Sequence, residues 1–124
     1  MLRKLTVVCG DLDKIDERVS QLIESDIQAH EDNVLVMHPG AKRRASEQIT
    51  ILEKILYEAI CDSAETHLII ATNSASIVEK IGELVEVNHL DRSTVVVELA
   101  SETDHRVCLF DAQGVLTDWP IGYL

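Results

Sequence analysis

Glycine is scarce in this chain, and its five glycines are too scattered to form a phosphate-binding loop. A P-loop needs the run Gly-x-x-x-x-Gly-Lys-Ser/Thr, because its backbone amides surround the phosphates and its lysine balances their charge. No such run occurs among the 124 residues. A chain of this kind is not expected to hydrolyse nucleotides alone, and a working P-loop would have to come from a separate chain.

Cysteine and histidine are present, but not at the spacings that metal sites use. Cys9, Cys61 and Cys108 form no Cys-x-x-Cys pair, and the five histidines show neither His-x-x-x-His nor His-x-His. We therefore expect no metal and no cofactor. The odd number of cysteines also argues against a disulfide framework.

The apolar surroundings of Cys9 and Cys108 predict that both are small core residues. Cys9 is nevertheless the best candidate for a nucleophile. It ends a predicted strand before Gly10-Asp11, and a helix N-terminus can stabilise a thiolate. A serine nucleophile would need an elbow such as Gly-x-Ser-x-Gly, which is absent. Burial in a strand is the interpretation that we favour for Cys9.

Aromatic residues and long apolar runs are also few. With one tryptophan and one phenylalanine, the core must be mostly aliphatic, and the 46% hydrophobic content is enough to form one. No apolar run approaches the roughly 20 residues of a membrane span. The apolar part of residues 1–8 is too short for a signal peptide. We therefore expect a cytoplasmic protein without membrane contact.

Acidic side chains dominate the charge, with 22 acidic and 11 basic residues and a net charge of −11. Such a surface repels phosphate backbones, so nucleic-acid binding is not expected. Lys42-Arg43-Arg44 is the exception, either as the solvated first turn of a helix or as a docking patch for an acidic partner. Trp119 and Tyr123 complete the predicted partner-binding set, because aromatic residues are enriched in binding hot spots. Trp119 could instead pack on the domain's own sheet.

Strand-like and helix-like segments alternate along the chain. Apolar, β-branched runs predict strands and periodic apolar residues predict helices. The predicted strands are 5–9, 34–37, 68–70, 94–99 and 106–110, and the predicted helices run from Asp11 or Asp13 to about residue 30, over 46–59 and over 75–85. A polar turn is predicted at residues 31–33.

This alternation predicts one α/β domain over residues 1–124, with a mostly parallel sheet flanked by helices in a Rossmann-like, P-loop-like three-layer arrangement. The last two strands are predicted to form an antiparallel C-terminal β-hairpin. Parallel sheets carry continuous apolar runs on their central strands. Val7, Val36, Ile69 and Ile70 are therefore predicted to be buried on both faces.

The triplet Thr72-Asn73-Ser74 lies between a predicted strand and a predicted helix. α/β proteins place functional groups there, because the carboxyl end of a strand meets a helix N-terminus. Thr72 and Ser74 are predicted to cap the helix. The chain could alternatively bind a nucleotide or phosphorylated ligand at the strand ends. That ligand site would comprise Gly10, Asp11, His38, Gly40, Thr72, Asn73 and Ser74.

Residues 34–48 resemble the Walker B region of the SMC-like ABC-type ATPases. In that family the strand ends in two acidic residues, followed by Pro-Glu-Ala and a stretch reaching a glutamine. Pro39, Ala41 and Gln48 match this pattern, whereas Met37 and His38 occupy the two acidic positions. The resemblance implies a degenerate Walker B motif, since a thioether is a poor ligand for Mg²⁺, which prefers oxygen.

Two later segments extend the resemblance to Tyr123, over about ninety residues. Thr72-Asn73-Ser74 is similar to the family's Thr-His-Ser switch, in which the histidine senses the γ-phosphate, and Asn73 replaces that histidine. The end of the chain, from Phe110 to Val115 and from Asp118 to Tyr123, is similar to the Trp-Pro-x-Gly-aromatic ending of several defence- and repair-associated ATPases. The family's Ser-Gly-Gly signature is absent.

The resemblance implies the C-terminal half of such an ATPase, lacking the P-loop and the catalytic carboxylates. We therefore expect a non-catalytic protein-interaction domain, and enzymatic activity is disfavoured. It would act with an active ATPase or as a homo-oligomer, in a bacterial or phage system. The alternative is the small α/β domain with a phosphorylated ligand at its strand ends.

Overall fold

A computed structural model of the chain describes residues 1–26, 29–37, 45–103 and 105–119. Strands and helices alternate in it up to the fourth strand, and a fifth strand follows directly. A short 3-10 helix, Arg92–Thr94, precedes the fourth strand. The regular elements are β1 (Leu2–Gly10), α1 (Leu12–Ser25), β2 (Ala29–Val36), α2 (Ala45–Cys61), β3 (Thr66–Ala71), α3 (Ala75–Glu86), β4 (Val95–Ala100) and β5 (His105–Cys108).

The strands form one sheet in the order β2-β3-β1-β4-β5. The first four are parallel to one another, and β5 pairs antiparallel with β4. Val7 of β1 lies opposite Ile70 of β3 on one side and Val97 of β4 on the other. The predicted α/β class, the mostly parallel sheet and the C-terminal hairpin are therefore confirmed.

Helices cover both faces of the sheet and create two cores. One core packs α2 and α3 against Leu5, Val7 and Cys9 of β1. The other packs α1, through Ile15 and Leu22, against the opposite face. The alternation of side chains along each strand requires both layers, because a central parallel strand is apolar on both faces. None of the described helices is both long enough and apolar enough to span a bilayer.

The second strand is where the sequence prediction fails. The helix predicted to reach about residue 30 ends at Ser25, and the predicted turn at residues 31–33 lies inside β2. Ala29 pairs with His67 and Val34 with Ile69, so the register shifts between them and β2 has an irregularity there. A polar stretch is tolerated because β2 is an edge strand with a partner on one side only.

The predicted burial is confirmed at Val7, Ile69 and Ile70, all of which have no exposed surface. It is wrong at Val36, whose surface is 63% exposed. Val36 ends β2 at the edge of the sheet, and none of the described strands lies beyond β2. An apolar run therefore did not by itself distinguish an edge strand from a central one.

The C-terminal part of the chain packs directly against α3 through two glycines. A Cβ on Gly114 would lie 2.7 Å from the carbonyl carbon of Gly82, and one on Gly82 would lie 3.4 Å from that of Gly114. Only hydrogen atoms therefore fit between the two backbones. Asp111 fixes the turn, because its side chain accepts the backbone N–H of Gln113 and of Val115.

Candidate functional site

The carboxyl ends of four parallel strands meet at one edge of the sheet, where open α/β sheets bind their ligands. Gly10, Met37, Thr72 and Ala100 occupy the end of each strand or the position next to it. The structure therefore brings together the strand-end residues that the sequence singled out, apart from those at residues 38–40. This group is called the strand-end site below.

Asn73 binds the turn between β1 and α1 through both of its polar atoms. The Gly10 N–H donates to Asn73 Oδ1 at 2.8 Å, and Asn73 Nδ2 donates to the Gly10 carbonyl at 2.7 Å. The two partners also fix which side-chain atom is oxygen and which is nitrogen. An imidazole could not make this pair of bonds to one residue, because its nitrogens lie on different sides of the ring.

Thr72 links the ends of β2 and β3. Its side chain is fully buried, and its hydroxyl donates to the Met37 carbonyl while accepting the Ser74 N–H at 3.0 Å. Ser74 holds the N-cap position of α3, but its side chain makes no capping hydrogen bond. Thr72 thus stabilises the turn before the helix, and the predicted capping of α3 by the Thr72 and Ser74 hydroxyls is not observed.

Asp11 ties the start of α1 to the end of β4. Its N–H donates to the Ala100 carbonyl at 3.0 Å, and its carboxylate accepts the Glu102 N–H at 3.1 Å. Asp11 is also the N-cap of α1, without a side-chain bond to the helix. Gly10 has φ of 128°, and a Cβ there would overlap the Ala100 carbonyl. The β1–α1 turn is therefore in direct contact with β4.

Several predicted site residues lie elsewhere. Trp119 is partly buried and packs against the core beneath α2 and α3. Its indole N–H is buried without a partner among the described residues. The other predicted contacts fall outside the described residues: His38, Gly40, Lys42, Arg43, Arg44 and Tyr123.

Cys9 is buried in β1, as the favoured interpretation had it. Burial, with a smaller contribution from Cys108, raises the pKa of the Cys9 thiol to about 12. A thiol with that pKa stays protonated at neutral pH, whereas the thiolate is the reactive form. Cys9 is therefore a core residue and not a nucleophile.

A buried polar cluster that the sequence did not reveal lies near the amino ends of β1 and β3. His67 Nε2 is 2.8 Å from the Thr6 hydroxyl, and His67 Nδ1 is 2.9 Å from the Asp26 carboxylate, which also pairs with Arg3. A hydroxyl, an imidazole and a carboxylate in this order form the pattern of a hydrolase triad. Thr6 has no exposed surface, so no substrate can reach its hydroxyl.

The cluster instead joins β1, β3 and the end of α1. Burial lowers the pKa of His67 below its usual 6.5, and the hydrogen bond that His67 donates to the Asp26 carboxylate offsets only part of that effect. The neutral ring donates from Nδ1 to Asp26 and accepts from Thr6 at Nε2, which satisfies both nitrogens. His67 is therefore neutral in the folded protein at pH 7.

Replacing His67 with glutamine should remove a pH-dependent part of the stability. Below about pH 6.5 the unfolded chain binds a proton at His67 before the folded chain does, so wild-type stability falls, by at most about 1.4 kcal/mol per pH unit. The stability advantage of wild type over H67Q should therefore shrink between about pH 7.5 and about pH 5. Urea unfolding at both pH values measures it.

The exposed His89 provides the control for the histidine-to-glutamine change itself, since H89Q should change the stability at pH 7.5 by no more than about 0.5 kcal/mol. An advantage over H67Q that stays constant or grows on acidification would mean that folded His67 holds its proton as tightly as the unfolded chain does.

A second polar cluster, with a buried carboxylate, lies on β4 beside α1. Glu98 is almost fully buried and receives two hydrogen bonds from Arg18, at 2.8 and 3.3 Å. His105 of β5 contacts the same carboxylate at 3.2 Å. A two-point contact of this kind holds a guanidinium in one orientation. The cluster therefore attaches α1 and β5 to the same strand.

Comparison with known proteins gave no match, whether to a family model, to a curated protein or to a solved structure.

Proposed function

We propose that the chain is a non-catalytic protein-interaction domain, resembling the degenerate half of an ABC-type ATPase. The observation that carries the proposal is the pair of hydrogen bonds between Asn73 and Gly10. They occupy the turn that follows β1, which is where a phosphate would need free backbone N–H groups.

The first two amides of the β1–α1 turn are both used within the protein. Gly10 donates its N–H to Asn73, and Asp11 donates its N–H to the Ala100 carbonyl. A phosphate bound here would have to break these bonds without compensation from a nearby lysine of the P-loop kind. The Asp11 carboxylate would also repel it. These contacts favour a site that is closed to phosphorylated ligands.

Met37 supports the same conclusion at the end of β2. Its side chain is buried in the core, and its carbonyl accepts the Thr72 hydroxyl. In the ABC-type ATPases that the chain resembles, the residue at this position supplies a carboxylate to Mg²⁺. A buried thioether cannot replace that hard oxygen ligand. Among the described residues, these contacts favour a strand-end site without a phosphate-binding loop and without a carboxylate at the end of β2.

A protein partner remains as the main class of ligand. Large apolar side chains are exposed at several places on the surface, including Tyr57, Val87, Val107 and Val115. The basic segment 42–44 and Tyr123 stay predicted contacts. By resemblance, the partner is an active ATPase of similar fold or a second copy of this chain, in a bacterial or phage system.

The proposal predicts that nucleotides neither bind the chain nor are hydrolysed by it. Titration with Mg²⁺-ATP, ADP or inorganic phosphate should leave the thermal unfolding midpoint unchanged. A ligand at one hundred times its Kd would add about 2.7 kcal/mol and would be seen. Phosphate release should equal a buffer blank.

The variant T72V provides the control, because it removes the hydroxyl at the strand-end site while keeping the shape of the side chain. Saturable stabilisation of wild type by a nucleotide, lost in T72V, would replace the proposal with the phosphorylated-ligand alternative. Steady phosphate release by the chain would show that it is catalytic and would reject the proposal of a non-catalytic domain.

A further inference from the structure

Helices α2 and α3 border an apolar groove of about 420 Å³ on the surface. Its floor contains the core residues Leu56 and Leu90, and the partly buried Leu84 lines it from α3. Tyr57 and Ile60 stand along the α2 side. The groove is thus continuous with the core but open to solvent.

The two α2 side chains are unusually exposed for their type. Tyr57 is 69% exposed and Ile60 is 44% exposed, and they lie three residues apart on one side of the helix. Residues at this spacing form a continuous surface along a helix. Contiguous apolar surface of this kind marks an interaction site more often than isolated exposed residues do.

The two helices that border the groove carry an excess of acidic residues. Glu53 and the exposed His89 line the groove. Beside the groove, Lys80 lies between two glutamates, 3.6 Å from Glu53 and 3.5 Å from Glu83. One ammonium group therefore faces two carboxylates. Across α2 and α3 as a whole, six glutamates stand against two lysines. The long-range field at this surface thus attracts cations.

We propose that this groove binds an amphipathic helix of a partner protein. That helix has apolar residues on one face and lysine or arginine residues flanking that face. The inference rests on the proposed interaction function and names the chemistry of the partner. Helices with an apolar face commonly dock in grooves between other helices. The acidic excess of the two helices selects a basic partner and disfavours fatty-acid carboxylates and a second copy of this chain, which carries a net charge of −11.

Three synthetic helical peptides test the inference. The first has leucines at i, i+3, i+4 and i+7 and lysines elsewhere, the second replaces the lysines with glutamates, and the third scrambles the first. Fluorescence anisotropy of each labelled peptide gives the Kd. We expect the leucine–lysine peptide to bind and the other two to bind at least about tenfold more weakly.

Variants of the chain locate the binding. The double variant Y57A/I60S should weaken binding of the leucine–lysine peptide at least about tenfold. The double variant E53Q/E83Q should weaken it less and reduce its salt dependence. V107S is the matched control, since Val107 is an exposed apolar residue of β5, and it should leave the Kd within about twofold. Unchanged circular dichroism and unfolding midpoints establish that each variant is folded.

The inference is overturned if the leucine–lysine peptide does not bind, if its scrambled form binds equally well, or if Y57A/I60S binds like wild type. Each of these results leaves the interaction function standing when the nucleotide titrations are also negative. Saturable nucleotide binding at the strand-end site would reject the interaction function whatever the peptides do.

Discussion

Replacing Gly10 with alanine should destabilise the protein by about 2–6 kcal/mol. Two effects add. Gly10 has φ of 128°, which an L-residue adopts only under strain, and the new methyl group would overlap the main chain of Ala100. The backbone cannot relax easily, since Asn73 and Asp11 hold the same turn by hydrogen bonds. Urea unfolding measures the free energy difference.

A matched control is S20A, in the exposed middle of α1, which should change the stability by no more than about 0.5 kcal/mol. A G10A loss below about 1 kcal/mol would show that the β1–α1 turn can move away from β4. The turn would then be open enough to admit a ligand, contrary to the proposed function.

Replacing Ile70 with alanine should cost about 2–5 kcal/mol, because the deletion leaves a cavity in a fully buried site. Ile70 lies in β3 between Val7 of β1 and Leu35 of β2, and its side chain belongs to the core beneath α2 and α3. The same surroundings that exclude water also prevent the site from collapsing around the smaller residue. Chemical unfolding with an unchanged m-value would give the loss directly.

The exposed Val36 makes a suitable comparison on the neighbouring strand. V36A should lower the stability by less than about 0.5 kcal/mol, since the Val36 side chain is mostly exposed and its truncation removes little buried apolar surface. Similar losses for I70A and V36A would mean that the sheet order is wrong, because β3 is internal and β2 is at the edge.

The central sheet could be predicted from the sequence because its signals are local. Leu5 to Cys9 is apolar except for Thr6, and Leu68 to Ile70 is a continuous apolar run. These segments become the two innermost parallel strands. β2 could not be predicted in full, since its polar first half, residues 30–33, reads like a turn when the neighbouring strand is unknown. Position in the sheet, and not composition, decides whether such a segment pairs and whether Val36 is buried.

The candidate site was predictable in place but not in its contacts. The strand–turn–helix pattern placed Thr72-Asn73-Ser74 at the carboxyl end of a strand, and the triplet lies there, between β3 and α3. The bonds from Asn73 to Gly10 span 63 residues, and those of His67 to Thr6 and Asp26 span 61 and 41. No spacing rule connects such pairs, because folding alone brings them together. The histidine spacings that predict metal sites did not point to His67.

The backbone contact between Gly82 and Gly114 couples the motion of α3 to that of the turn at residues 111–115. No side chain separates these backbones, so α3 and the turn at residues 111–115 cannot slide independently. A helix that wedges into the groove and displaces α3 must displace that turn, and with it the packing of Trp119. If a helix bound in the groove changes the affinity for a second ligand near Trp119, that second ligand must change the affinity of the groove for the helix by the same factor.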